Sequence, residues 1–353
     1  MSRIVAVQKV LAPHRYRQRD ITDQVRSSLP GADRALLDRV HAAAGVRFRH
    51  TVLPLEAYAD LDGFGAANDA FIEAAERMGA EAVRGALAAA GLGSGAVDLI
   101  AVVSTTGLAA PSVDARLIGP LGLRPDVKRL PIFGLGCAAG AAGLARVHDY
   151  LRGWPTHTAI LLSVELCSLT FQRSDPSPAN LVGSALFSDG AAALVAQGSG
   201  AADGPGCPPG PEVVASRSRF YPATERAMGW DVTDSGFRIV LDPGIPGIVR
   251  AYLADDIDSF LSGHRLARHD IGTWVCHPGG PKVLDAIADT LDLPPGALDA
   301  TWESLAEVGN LSSASVLHVL QDTQRRRRPP PGTWGLLLAL GPGFCAELVL
   351  LRW

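Results

Sequence analysis

A chain of 353 residues, 47% hydrophobic and 19% charged, is long enough for about two domains with sizeable cores, which excludes wholesale disorder. A formal net charge of −4 supplies no general attraction to nucleic acid or anionic membrane. The five cysteines, at 137, 167, 207, 276 and 345, are odd in number and never in C-x-x-C spacing, which argues against a disulfide framework and a zinc site.

The apolar run near the N-terminus is too short and interrupted for a signal peptide, so the expected compartment is the cytoplasm. Residues 66–90 read as a long alanine-rich helix ended by Gly91, 98–106 as a buried strand, and the segment after Pro111 as the start of a helix. Next comes Gly134-Leu135-Gly136-Cys137-Ala138-Ala139-Gly140, running into a helix with Leu144, Val147 and Leu151 on one face; Gly153 and Pro155 stop it. Strands follow at 158–165 and 191–196. The most linker-like stretch, 198–211, divides the chain into 1–200 and 212–353. The second part alternates again: helix 248–261, strand 272–276, helix 281–291, helix 311–324, and a final strand pair around Gly341-Pro342-Gly343. The final pair carries Glu347 and its glycine-proline turn, so it is no membrane span. This alternation is an α/β pattern. Both parts end on a glycine-punctuated apolar strand, 188–195 and 341–349, as a duplication would.

Cys137 is the candidate nucleophile. Its neighbours have almost no side chain, so a bulky acylated substrate can approach, and a helix N-terminus favours the attacking thiolate by lowering the thiol pKa. Two other readings of this stretch stand beside it. Free cysteine is often a small core residue. Gly134, Gly136 and Ala139 also fit a dinucleotide-binding G-x-G-x-x-A, although Pro131 interrupts the preceding strand and 155–162 holds no acidic residue for a ribose.

A thiol nucleophile needs a base, and thioester chemistry needs donors for a developing oxyanion. Trp274-Val-Cys-His277-Pro-Gly-Gly280 puts a histidine at the end of a buried strand, and Glu307-Val-Gly-Asn310-Leu-Ser-Ser313 puts an asparagine just before a helix. Taken alone, His277 reads as a structural histidine and Asn310 as a helix cap. No G-x-S-x-G occurs, and the spacing of the nine histidines offers no metal site.

The order Cys137, His277, Asn310, with Gly136-Cys137-Ala138-Ala-Gly140, His277-Pro-Gly-Gly-Pro281, Gly309-Asn310-Leu-Ser-Ser313 and Gly341-Pro-Gly-Phe344 around it, resembles the type III polyketide synthases, the chalcone-synthase-like family, over essentially the whole chain. The resemblance implies a thiolase-type fold of two similar αβαβα halves in five layers. It also implies a homodimer, acyl-CoA and malonyl-CoA as substrates, and no cofactor. Cys137 would carry the acyl chain, with His277 as its ion-pair partner. His277 and Asn310 would hold the malonyl thioester carbonyl through decarboxylation. Phe187 and Phe237 match the family's gatekeeping phenylalanines. Thr105, Cys167, Thr170, Ser312 and Ala110 match positions lining the elongation cavity, and Arg39 matches a residue gripping CoA phosphates.

Val164 to Gln172, Met228 to Asp231 and Gly236 to Val240 resemble the bacterial branch, especially alkylresorcinol and alkylpyrone synthases; tetrahydroxynaphthalene synthases share the cysteine at Cys167. The leading expectation is decarboxylative Claisen condensation of an acyl-CoA starter with malonyl-CoA and closure of the product to an alkylpyrone or alkylresorcinol; the starter is expected to be of medium or greater length, because Cys167 and Ala110 are smaller or less polar than the plant threonine and methionine. The alternatives are a malonyl-CoA-primed tetrahydroxynaphthalene-type synthase, a fatty-acid initiation condensing enzyme, and a catalytically silent protein on the same fold.

Overall fold

The structure is a computed structural model that describes residues 1–202 and 210–353. Part of the expected linker, 203–209 with Cys207, lies outside the described residues. The other four cysteines are buried and unpaired.

Nine strands form the central sheet: β1 (Ser2–Leu11), β2 (Leu99–Val103), β3 (Lys128–Ile132), β4 (Thr158–Leu166), β5 (Asp189–Gly198), β6 (Glu212–Phe220), β7 (Ile271–Cys276), β8 (Trp334–Gly341) and β9 (Cys345–Arg352). Their spatial order is β7-β8-β9-β6-β1-β5-β4-β2-β3. Four strands of the first half, β2-β4-β5-β1, follow the sequence parallel, antiparallel, antiparallel, and β7-β8-β9-β6 repeat that sequence in the second half. The duplication read from two glycine-punctuated strands is thus a duplication of topology. The halves join where Ser2 pairs with Val213 and Arg3 with Glu212.

Strand alternation explains the layers. Ile160, Leu162 and Val164 of β4 face an outer core with helix α1 (Gly63–Ala90) and α2 (Val113–Leu121). Ala159 and Leu161 face a middle core shared by α3 (Ala139–Gly153) and, after α4 (Pro178–Leu186), α5 (Ile245–Ser262) and α6 (Pro281–Leu291), by α7 (Ala314–Asp322). On β8, Leu337 and Ala339 face that same middle core, whereas Leu336, Leu338 and Leu340 face α5 and α6. The five layers are therefore helices, half-sheet, α3 with α7, half-sheet, helices, which is the thiolase-type arrangement.

Pro131 sits inside β3 without ending it, because β3 is the outermost strand and an edge position tolerates a missing N–H. The close approach of α3 to α7 requires Gly140: a Cβ there would lie 2.3 Å from the Ser313 carbonyl oxygen. Among the described residues no helix is long and apolar enough to cross a membrane.

Candidate active site

Cys137 lies on a single 3-10 turn, Gly136–Ala138, that leads into α3, and is 6% exposed. Its Sγ donates to Ser312 Oγ at 3.7 Å. Ser312 reaches it from the second half because its backbone is left-handed, at φ +48°, just ahead of α7. The Ser312 N–H donates to Asn310 Oδ1 at 2.8 Å. A backbone N–H can only donate, so this bond fixes which end of the amide is oxygen and leaves the NH2 as the end with donors to offer. Asn310 is not the cap of α7, whose N-cap position is Ser313.

His277 is where β7 ends, its N–H bonded to the Leu338 carbonyl at 2.8 Å, and the glycine turn behind it opens α6. The ring is 5% exposed, and neither Nδ1 nor Nε2 has a partner among the described residues. Buried ring nitrogens without partners are costly in an ordinary core, and both are left able to bond a group brought to the ring.

Two opposing effects act on the thiol. A helix N-terminus by itself predicts a lowered thiol pKa at Cys137. Burial outweighs it and pushes the thiol up to about 12, with the nearby Glu165 adding to the rise and the Ser312 contact opposing it. Burial alone takes His277 down to about 3.

Glu165 went unnoticed in the sequence. Its signal was a lone carboxylate in β4, every residue of which is buried. It accepts from the Thr105 N–H and Thr106 Oγ1, each at 3.0 Å, from Ser312 Oγ at 3.4 Å, and from Ser313 Oγ. Burial raises it to about 7 against these hydrogen bonds. Thr105, Ser312 and Cys137 therefore surround one acid that can be neutral or ionised near neutral pH.

Cys167, Thr170 and Phe187 line one cavity, together with Arg49, Tyr58, Ser168 and Trp230. Trp230 was also missed as a site residue. Its indole N–H donates to the Thr105 carbonyl at 2.9 Å, which pins the hairpin Met228–Thr233/Gly236–Leu241 across the site. Phe237, on the same hairpin, is buried among Phe64, Phe133 and Trp230, at centroid distances of 5.2, 6.2 and 6.0 Å. Two residues stand apart. Arg39 is on the exposed face of the helix Arg34–Ala43, and Ala110 is exposed in the loop between β2 and α2.

Residues 4–201 match the family described as chalcone and stilbene synthases, N-terminal domain, and 212–353 match its C-terminal domain. The chain belongs to the chalcone and stilbene synthase family. It is a type III polyketide synthase, an enzyme that transfers acyl groups. The synthase is 59% identical to a 1,3,6,8-tetrahydroxynaphthalene synthase of Streptomyces peucetius subsp. caesius, over 99% of this chain and 93% of that protein. The crystal structure of 1,3,6,8-tetrahydroxynaphthalene synthase from Streptomyces coelicolor A3(2), a bacterial type III polyketide synthase, superposes with a TM-score of 0.94 at 30% identity, covering 99% of both chains. PKS-I from the brown alga Ectocarpus siliculosus gives 0.92 at 26% identity, over 99% of this chain and 98% of that one.

Proposed function

We propose that this synthase uses malonyl-CoA both as starter and as extender and closes the chain to a tetrahydroxynaphthalene-type product. The observation that carries this reading is the 59% identity, end to end, with a synthase of that product. A naphthalene skeleton divides evenly into two-carbon units, so decarboxylated malonyl groups can supply all of it. The cavity supports the same choice over a long alkyl starter. Trp230 fills space on the wall shared with Cys167, and Ala110 faces outward instead of opening room there.

In this reading Cys137 Sγ attacks the malonyl thioester while its proton passes to His277, and His277 returns that proton to the departing CoA sulfur, which leaves as the thiol. Neither ion is stable alone at this depth, so the proton moves as the C–S bond forms. For extension, His277 and the Asn310 NH2 hold the thioester oxygen of the next malonyl-CoA. The C–C bond to carboxylate breaks, CO2 leaves, and the electron pair becomes an enolate bound by both donors. The enolate carbon then attacks the Cys137 thioester carbonyl, the C–S bond breaks, Cys137 leaves as the thiolate, and the lengthened chain, now on CoA, is transferred back to Cys137 for the next round. Removing one such donor typically costs ~10²- to 10³-fold. Phe187 and Phe237 would bound the passage from CoA to cavity, with Arg39 at the surface as a phosphate contact.

A second copy of the chain would cover Leu108 and Phe133, which are 41% and 51% exposed, beside Ala110 and the open edge of β3.

The test is mass spectrometry of products from malonyl-CoA alone and from malonyl-CoA with a panel of acyl-CoA starters. A naphthalene-type product from malonyl-CoA alone is expected. Turnover only with alkyl starters, giving pyrones or resorcinols, would replace this reading with the alkylpyrone one.

A further inference from the structure

On the cavity wall that Cys167 shares with Phe187, a chain of hydrogen bonds runs from the cavity to a buried carboxylate. Tyr58 and Ser168 both line the cavity. Tyr58 Oη and Ser168 Oγ are 2.5 Å apart, and Ser168 Oγ bonds Asp189 Oδ2. An ionised carboxylate only accepts, so Ser168 donates to Asp189 and must itself accept from Tyr58; the direction of the chain is fixed. Tyr58 Oη receives the Leu53 N–H at 3.3 Å, which leaves it a lone pair for a group in the cavity. Asp189 has no exposure, and its backbone partners are the N–H groups of Ser168 at 2.8 Å and Val52 at 2.7 Å. The charged and titratable groups around it are Arg49, Tyr58 and Cys167.

We infer that Tyr58, Ser168 and Asp189 form a proton relay for ring closure of the bound polyketide. This rests on the malonyl-condensing reading above. A methylene between two ketide carbonyls gives its proton to Tyr58 Oη as the Tyr58 proton passes to Ser168 and the Ser168 proton to Asp189. The C–H electron pair stays on the substrate as an enolate. Its carbon forms the ring bond to a second carbonyl carbon, and the resulting alkoxide takes a proton back along the same chain, restoring the Asp189 carboxylate. No outside oxidant or reductant enters.

Arg49 suits Asp189 to this role. Its guanidinium is buried, lines the same cavity and remains cationic, although burial lowers it to about 10. Burial raises Asp189 to about 6, with the Ser168 and Val52 hydrogen bonds and Arg49 holding it below what burial alone would give. The relay's acceptor thus titrates close to the working pH, where general-base transfer is most effective.

The experiment compares Tyr58→Phe and Ser168→Ala with the wild-type synthase. It measures CO2 release from malonyl-CoA, melting temperature, and the ratio of carbocyclic product to uncyclised or lactone by-products between pH 5 and 8. A fall of about 10²-fold in that ratio, much larger than any fall in CO2 release, is expected for both variants. The wild-type ratio should rise through about pH 6, and Tyr58→Phe should flatten that rise. Unchanged products and pH profile in both variants would overturn the relay. So would equal losses of CO2 release, carbocycle and melting temperature, which would make the chain a structural pin. Absence of CO2 release in the wild type would instead refute the malonyl-condensing reading, and the relay with it.

Discussion

Asn310 and Phe187 are clasped side by side: the Asn310 N–H donates to the Leu186 carbonyl and the Ser188 N–H to the Asn310 carbonyl, each at 2.8 Å. One residue comes from each half of the duplication, so the amide that offers donors and the ring at the cavity wall keep a fixed relative position. The clasp uses only main-chain atoms. Asn310→Ala should therefore leave it intact, retain malonyl loading on Cys137, and lower decarboxylation by ~10²- to 10³-fold. Labelled-enzyme trapping beside CO2 release separates the two activities; equal loss of both would reject the division of labour.

Cys137 should be the only acylated cysteine. Cys137→Ala is expected to abolish covalent labelling by malonyl-CoA and all chain extension, as read by peptide mapping. A labelled peptide carrying Cys167 or Cys276 would contradict the assignment, even though both thiols are as deeply buried as Cys137.

Trp230→Ala should enlarge the cavity beside Cys167 and free the hairpin from Thr105. Burying two more methylenes of an alkyl starter is worth ~1.6 kcal/mol, or about tenfold in kcat/KM. Competition between hexanoyl-CoA and malonyl-CoA as starters should shift toward hexanoyl-CoA. An unshifted ratio would mean that Trp230 does not limit starter length.

Gly140→Ala should destabilise the fold by about 1–3 kcal/mol, because its Cβ would meet the Ser313 carbonyl oxygen and Val316 where α3 crosses α7. Gly153→Ala, at the far end of the same helix with open space around it, should not. Thermal melting of the pair isolates the effect of that crossing.

Acid should destabilise the synthase. Burial lowers His41, His148 and His318 to about 4 and His277 to about 3, so between roughly pH 6.5 and 4 the unfolded chain binds protons that the folded one refuses. Glu165 and Asp189, raised to about 7 and about 6, act in the opposite sense: their stabilisation is complete below about pH 4 and is lost as pH rises through those values. The histidines outnumber them, so the melting temperature should fall from pH 6.5 to pH 4.5. A flat profile over that range would mean that the buried rings accept protons in place.

The α/β class, the long helix α1 and the order of Cys137, His277 and Asn310 were legible because periodicity and motif spacing are local properties. What escaped were elements and contacts made across the chain. β1 reads as a short apolar run, yet it lies mid-sheet. Trp230 gives no sign in sequence that it bonds Thr105, and Glu165 is one letter in a strand. The burial that opposes the helix terminus at Cys137 was hidden for a related reason: a helix terminus can be read from nearby residues, whereas burial depends on all that folds over it.

The place of β1 has a consequence for synthesis. This strand is made well before its neighbours, β5 and β6, which begin at Asp189 and Glu212. Until then its apolar residues Ile4, Val7 and Val10 have no strand to pair with, and the nascent chain carries an unsatisfied edge through most of its first half. The seam between the two halves closes only after the second has started to emerge, so a stalled or prematurely ended chain would expose a sticky strand instead of a folded half.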